Sequence, residues 1–267
     1  MNYIKDGNDI LLQQSDFDID QIFNCGQTFR WEKINSNSYK GYFFNKPLEI
    51  GNENGTDLFR FHNTSEEDFL DIWANYFDLF TDYGEIKECF SEDETLSKAC
   101  EFAGGIRILN QDSWEMLSSF ILSQNNNIPR IKGIISNLVE HYGKYPTALE
   151  MADETEESLE YLHAGFRAKY LVDAIKKVNS GEIDLKAIRK MDIEDARKTL
   201  QTINGVGPKV ADCTLLFGFN KTEAFPRDVW VNRVMEKWYP DGLPSCTKGR
   251  EGIAQQYLFH YIRHLEQ

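Results

Sequence analysis

A lysine follows two closely spaced glycines in LQTINGVGPKVADC, Leu200–Cys213. Pro208 suits the first turn of a new helix, so Lys209 falls in that turn too. The positive end of the helix dipole disfavours an ammonium there. A neutral lysine amine is a nucleophile and forms a Schiff base with an aldehyde-level carbon. Nineteen positions on, in FPRDVWVNRV, Asp228 follows Pro226 and opens another amphipathic stretch. A carboxylate beside such an amine stabilises positive charge on a sugar ring, the state through which glycoside cleavage passes. Each residue also has a plain structural role, Lys209 as a solvated helix residue and Asp228 as an N-cap.

The elements that must position them are legible around the motif. A helix from about Asp192 to Ile203 is broken by NGVG and resumes at Pro208, a helix-hairpin-helix over about 192–218. Gly205 and Gly207 let the backbone approach a ligand without a Cβ in the way. The unpaired N–H groups of the second helix attract phosphate, so both glycines are candidate phosphate contacts. The segment is not a dinucleotide fingerprint, because Val210 replaces the third glycine and a helix precedes it; nor is it a P-loop. An ordinary αα-turn built with glycines remains the alternative.

Upstream, QTFRWEKI, SYKGYFF, PLEIG and DLFRFH read as short strands separated by NSNS, NK and NENGT, an antiparallel meander over about 22–62. From Thr64 the period becomes helical. TSEEDFLDIWANYF puts Phe69, Ile72, Trp73 and Tyr76 on one face behind a Thr64 or Ser65 cap. Asp112 and Asn127 are the expected caps of DSWEMLSSFILSQ and NNNIPRIKGIISNLVEHYG, and Gly143 ends the second. ETEESLEYL, KYLVDAIKKV and REGIAQQYLFHYIRHLEQ continue the helical pattern. The expected fold is α+β, with an N-terminal antiparallel sheet domain and flanking helices over 1–110 and a helical body over 111–267.

The 267 residues carry a net charge of −14, but 1–100 hold 20 acidic against 8 basic residues, whereas 101–240 hold 20 against 18. The acidity is thus concentrated at one end, which leaves room for a polyanion partner. Five scattered cysteines and five histidines give no CxxC pair or HExxH, so neither a disulfide framework nor a side-chain metal site is expected. No apolar run approaches a membrane span, and the start MNYIKDGND does not read as a secretory leader. The expected setting is intracellular and soluble, in cytoplasm or nucleoid.

LQTINGVGPKVADC followed by PRDV resembles the hairpin, catalytic lysine and catalytic aspartate of the helix-hairpin-helix DNA glycosylases. CGQTFRW (25–31), SQNNNIPRIKG (123–133), GFRAKY (165–170) and GIAQQYLFHYIRHL narrow the resemblance to the 8-oxoguanine DNA glycosylase/AP lyase family. The resemblance implies a bifunctional repair enzyme that flips the damaged base out of duplex DNA. Lys209 would attack C1′ and form a Schiff base that permits β-elimination, with Asp228 stabilising the sugar. The Gly26 carbonyl would accept from N7–H, a donor in the lesion where guanine has an acceptor. Phe259 and Cys213 would sandwich the base, and Gln255 would read its Watson–Crick edge. Asn125 would fill the gap, Phe166 would wedge the partner strand, and Arg130 and Arg167 would read the orphaned cytosine.

The same resemblance implies a monomer working without a cofactor, and backbone carbonyls of Gln201, Ile203 and Val206 that hold a monovalent cation. Phe166 departs from the tyrosine common in eukaryotic members, and Trp230 from a phosphate-contacting histidine. Two rival readings are a monofunctional alkylated-base glycosylase, against which Lys209 and CGQTFRW argue, and a non-catalytic hairpin module that only binds DNA.

Overall fold

The computed structural model describes residues 1–53 and 55–266. Asn54, within the expected NENGT turn, and Gln267, at the end of the C-terminal helical stretch, lie outside the described residues. In chain order the strands are β1 (Asn2–Asp6), β2 (Asp9–Gln13), β3 (Trp31–Asn35), β4 (Ser38–Phe43), β5 (Lys46–Asn52) and β6 (Leu58–His62). The helices are α1 (Ile19–Asn24), α2 (Glu66–Asp68), α3 (Ala74–Tyr76), α4 (Tyr83–Phe90), α5 (Glu94–Ala103), α6 (Ser113–Leu122), α7 (Ile128–Tyr142), α8 (Arg167–Ser180), α9 (Leu185–Ile188), α10 (Ile193–Leu200), α11 (Pro208–Phe219), α12 (Val229–Trp238) and α13 (Glu251–Leu265). Among the described residues no helix is long and apolar enough to cross a membrane.

The contacts divide the chain into two compact units, one of 1–110 with 227–266 and one of 111–226. Residues 227–266 lie with the first unit because α13 packs along α5 and α12 packs on α13. Tyr239 Oη donates to Asp93 at 2.6 Å, and Tyr257 Oη donates to the Ile106 carbonyl at 3.2 Å. Such long-range contacts leave no local signature in a sequence.

In the first unit the six strands form one antiparallel sheet in the order β1-β2-β6-β5-β4-β3. The expected meander supplies β3 to β6, although only its Trp31–Asn35 part of the first run is a strand. The pair β1–β2 was not expected. Its signal is the two-residue Gly7–Asn8 loop, which leaves Asp6 opposite Asp9. Strand alternation puts Ile10, Leu12, Leu48, Ile50, Phe59 and Phe61 into a core with Trp73 and Phe77. Trp31 stacks on Phe23 at 4.1 Å and donates from Nε1 to Tyr76 Oη at 2.7 Å. Ser65 caps α2 as expected, and a π-helical turn over Phe69–Trp73 joins α2 to α3.

Two buried polar side chains fix the connections. The Arg107 guanidinium, 1% exposed, donates to the carbonyls of Asp16 and Asp78 at 2.8 Å and of Thr81 at 3.2 Å, and lies over the Tyr83 ring. Gln27, fully buried, donates to the Ile22 and Arg107 carbonyls and accepts from the Leu109 N–H.

In the second unit α6 is buried on all sides, packed against α11 and α8. Asp112 and Asn127 cap α6 and α7 as expected. ETEESLEYL, expected to be helical, contributes only a 3₁₀ turn over Ser158–Leu162. Leu159 and Leu162, three apart and both buried, suit that tighter period.

Arg107→Met should leave several buried carbonyls without donors, at a cost of about 3 kcal/mol. Urea unfolding should show a clearly lower midpoint; an unchanged midpoint would contradict the role assigned to this side chain.

Candidate active site

The second unit holds the lysine. α10 ends at Leu200, its Asp192 cap accepting from the Asp195 N–H at 2.9 Å. The chain then makes tight turns, with Ile203 N–H on the Leu200 carbonyl and Val206 N–H on the Ile203 carbonyl. Gly207 is the N-cap of α11 and Pro208 its first residue. A glycine cap has no side chain to satisfy the first N–H groups, which suits them to an anion. Arg197 Nε ties α10 to α11 by pairing with the buried Asp212 at 2.7 Å.

Lys209 is half-buried in the first turn of α11, its Nζ 5.4 Å from the Phe120 ring centroid. Phe120 is itself stacked on Phe217. Cys213, one turn later on the same face, is 4% exposed. The structure therefore brings Lys209 and Cys213 together beside the hairpin.

Helix α8 braces this hairpin through residues whose part the sequence reading missed. Gly205 has φ +77°, and a Cβ there would lie 2.4 Å from the Tyr170 ring. Asp173 accepts from the Asn204 N–H at 2.7 Å. Lys177 donates to the Thr202 carbonyl at 2.5 Å and pairs with Glu182 at 3.3 Å. Positions 170, 173 and 177 share one helix face, a spacing visible in the sequence, but which element that face meets is not. The Ile203 carbonyl, one of three proposed for a cation, already accepts the Val206 N–H.

The turn between α6 and α7 carries the partner-strand candidates. Asn125 is exposed, with φ +47°. Arg130 is exposed in the first turn of α7. Phe166 is 47% exposed, immediately before α8. Arg167 is 4% exposed, and its guanidinium donates to the carbonyls of Gln124, Asn125 and Ala164.

The first unit holds the remaining candidates. Gly26 follows Cys25 at the end of α1, with φ +85° and open space where a Cβ would point. The neighbouring Cys25 thiol donates to the Ile22 carbonyl, and burial pushes it up to about 12. Asp228 caps α12, accepting from the Val231 N–H at 2.9 Å. That cap engages one oxygen of a carboxylate with about four acceptor sites, so the structural role leaves acceptor capacity over. Gln255 and Phe259 lie one turn apart on α13, the first 4% exposed and the second half-buried. Gln256, not anticipated from the sequence, donates to Gln255 Oε1 at 2.7 Å, which leaves the Gln255 amide N–H groups for another acceptor. Arg263 lies over the Phe259 ring at 5.2 Å. Among the described residues no group of three or more His, Cys, Asp or Glu is disposed to hold a metal ion.

The two hairpin glycines should respond differently to alanine. Gly205→Ala meets an unfavourable φ, about 1–2 kcal/mol, and overpacking against Tyr170, about 1–3 kcal/mol. Gly207 has φ −89° and open space at the Cβ position, so Gly207→Ala should barely change stability. A loss of DNA affinity in Gly207→Ala at unchanged unfolding midpoint is the expected sign of close phosphate approach; equal stability losses in both variants would contradict it.

Residues 9–117 match the family described as 8-oxoguanine DNA glycosylase, N-terminal domain, and residues 118–246 match the HhH-GPD superfamily base excision DNA repair proteins. A probable N-glycosylase/DNA lyase of Methanothermobacter thermautotrophicus is 30% identical, over 93% of this chain and 94% of its own. The solved Clostridium acetobutylicum 8-oxoguanine glycosylase/lyase, in complex with dsDNA containing cytosine opposite 8-oxoG, is 37% identical with a TM-score of 0.91. That match covers 100% of this chain and 99% of the other. MBOgg1, solved with a low-affinity DNA ligand, is 39% identical with a TM-score of 0.92, again over 100% and 99% of the two chains. With relatives matched from end to end, and with the antiparallel sheet and glycine hairpin both in place, the chain belongs to the 8-oxoguanine DNA glycosylase family within the HhH-GPD superfamily.

Proposed function

We propose that this chain excises 8-oxoguanine from duplex DNA and then cleaves the strand as an AP lyase. The damaged base is flipped out of the stack. Lys209 Nζ attacks C1′; the N–C1′ bond forms as the C1′–N9 bond breaks, with its electron pair leaving on the base. The secondary ammonium so formed loses a proton, and the C1′–O4′ bond then breaks with a proton delivered to O4′, opening the sugar ring. The Schiff base left on Lys209 makes the C2′ proton acidic, and loss of that proton expels the 3′ phosphate. Asp228, beside the sugar, stabilises positive charge developing on the ring. The observation that carries this proposal is a half-buried lysine in the first turn of α11, beside the glycine hairpin, in a chain that matches glycosylase/lyases along its whole length.

On this proposal the Gly26 carbonyl accepts from N7–H of the lesion and faces a lone pair in guanine, a difference of about 1–3 kcal/mol in a dry pocket. Cys213 and Phe259 cover the faces of the base, and the Gln255 amide donates to its edge. Gly205 and Gly207 bring the hairpin backbone against a phosphate. Asn125 fills the gap, Phe166 wedges the partner strand, and Arg130 meets the orphaned cytosine. The hairpin carbonyls of Gln201, Ile203 and Val206 are the proposed ligands of a monovalent cation. The enzyme acts inside the cell, as a monomer, without a cofactor.

Borohydride should trap a covalent adduct with a duplex containing 8-oxoguanine. Lys209→Gln should abolish trapping and strand cleavage. Asp228→Asn should lower both by about 10²-fold or more, the scale of a lost charge-stabilising group. Tight binding without an adduct would favour a binding module, and release of 3-methyladenine with an unmodified sugar would favour an alkylated-base glycosylase. Gly26→Ala should weaken lesion cleavage while binding to an abasic duplex stays nearly unchanged. Equal losses on both would assign Gly26 to folding alone, its φ of +85° being strained for alanine.

A further inference from the structure

Three of the five free cysteines gather in the first unit. Cys89 lies in the last turn of α4, Cys100 on α5, and Cys246 in a short 3₁₀ turn over Ser245–Thr247 that leads into α13. The Cys89 thiol donates to the Cys246 carbonyl at 3.6 Å, across 157 positions of sequence. Both residues are half-buried, whereas Cys25, Cys100 and Cys213 are 2%, 8% and 4% exposed. Burial pushes the Cys100 thiol up to about 12. Burial, then Cys89 and the carboxylates of Glu92 and Asp93, raise that of Cys246. Among the described residues this cluster is not disposed to hold a metal ion. The backbone bonds of the Cys246 segment are local: the N–H groups of Gly242, Thr247, Lys248 and Arg250 donate to the carbonyls of Tyr239, Pro244, Ser245 and Thr247. To α4 the segment reaches through the Cys89 contact and an exposed Arg250–Glu85 ion pair at 3.7 Å.

We propose that Cys89 and Cys246 form a reversible disulfide when the protein meets a peroxide, stapling the end of α4 to the turn that leads into α13. The Cys89 thiolate attacks one peroxide oxygen; the S–O bond forms as the O–O bond breaks, and the departing hydroxide takes up a proton as water. Cys89, oxidised by that step, is left as a sulfenic acid. The Cys246 sulfur then attacks the Cys89 sulfur; the S–S bond forms as the S–O bond breaks, and the hydroxyl leaves as water with the Cys246 proton. Two thiols and one peroxide thus give one disulfide and two waters. A cellular dithiol reverses the bond by exchange. Cys246 acts second because its surroundings hold its proton on. With the Cys89 sulfur already against the Cys246 backbone, side-chain rotation is the adjustment that bonding requires. Cys100, buried, stays a thiol. The bond replaces a weak thiol contact at the approach to α13, the helix that carries Gln255 and Phe259.

The test uses the full chain and no DNA, so its outcome is separate from that of the glycosylase reading. The folded protein is treated with hydrogen peroxide, the remaining thiols are alkylated in denaturant, and the unreduced digest is mapped by mass spectrometry. A peptide pair joining Cys89 to Cys246 is expected, lost on adding dithiothreitol, with Cys25, Cys100 and Cys213 alkylated. The treated protein should unfold at a urea concentration higher by on the order of 1 M, because the bond restricts the unfolded chain over a long span. Dithiothreitol should restore the untreated midpoint. Cys246→Ser should keep the untreated midpoint after peroxide and carry added oxygen on Cys89 as sulfinic acid, the dead end that pairing prevents. Cys89→Ser should leave Cys246 a thiol. The disulfide is ruled out if wild-type Cys89 accumulates added oxygen unpaired, if either sulfur pairs with Cys100 instead, or if both thiols survive the peroxide. If Cys246→Ser does not fold, the wild-type peptide map still decides.

Discussion

The proposed chemistry depends on a backbone constraint: a lysine in the first turn of a helix whose preceding hairpin must stay tight. Gly205 takes a left-handed conformation in the one place where the Tyr170 ring leaves no room for a Cβ. Asp173 and Lys177 then hold an N–H and a carbonyl of the same hairpin. With the turn pinned at three points from one helix, the first N–H groups of α11 and the Lys209 stem have a defined direction. Preorganisation of this kind matters because misplacing a reacting group by an ångström is costly in rate.

On the proposed function, the same arrangement lets so acidic a chain meet a polyanion. A helix N-terminus and glycine N–H groups attract phosphate without formal charge, so the −14 net charge need not be reversed locally by a lysine cluster. Arginine is used sparingly and in different capacities. Arg107 and Arg167 are buried and serve backbone carbonyls, Arg197 neutralises Asp212, and Arg130 stays in solvent. One residue type thus stands buried among backbone carbonyls at two positions and in solvent at a third.

That difference marks where sequence legibility ends. NGVGPK announced the hairpin because glycine and proline fix backbone geometry locally. Asp112, Asn127 and Ser65 announced helix starts for the same reason. The alternating apolar residues of β4 to β6 are readable, whereas β1–β2 carries only the Gly7–Asn8 loop as its local signal. The burial of Arg167, the Gln256–Gln255 contact and the α8 brace depend on which helix faces meet. The placement of 227–266 with the sheet has the same character, since α13 reads as amphipathic whichever neighbour it has. ETEESLEYL shows the converse: local helical composition gave way to a 3₁₀ turn.

The central claim is that the amine of residue 209, and no other, bonds to the sugar. Digesting the borohydride-reduced complex and sequencing the cross-linked peptide by mass spectrometry tests it directly. The account predicts the reduced deoxyribose adduct on the side chain at 209, within the peptide carrying the hairpin. An adduct at the N-terminal amine or at another lysine, such as Lys221 or Lys237, would contradict it.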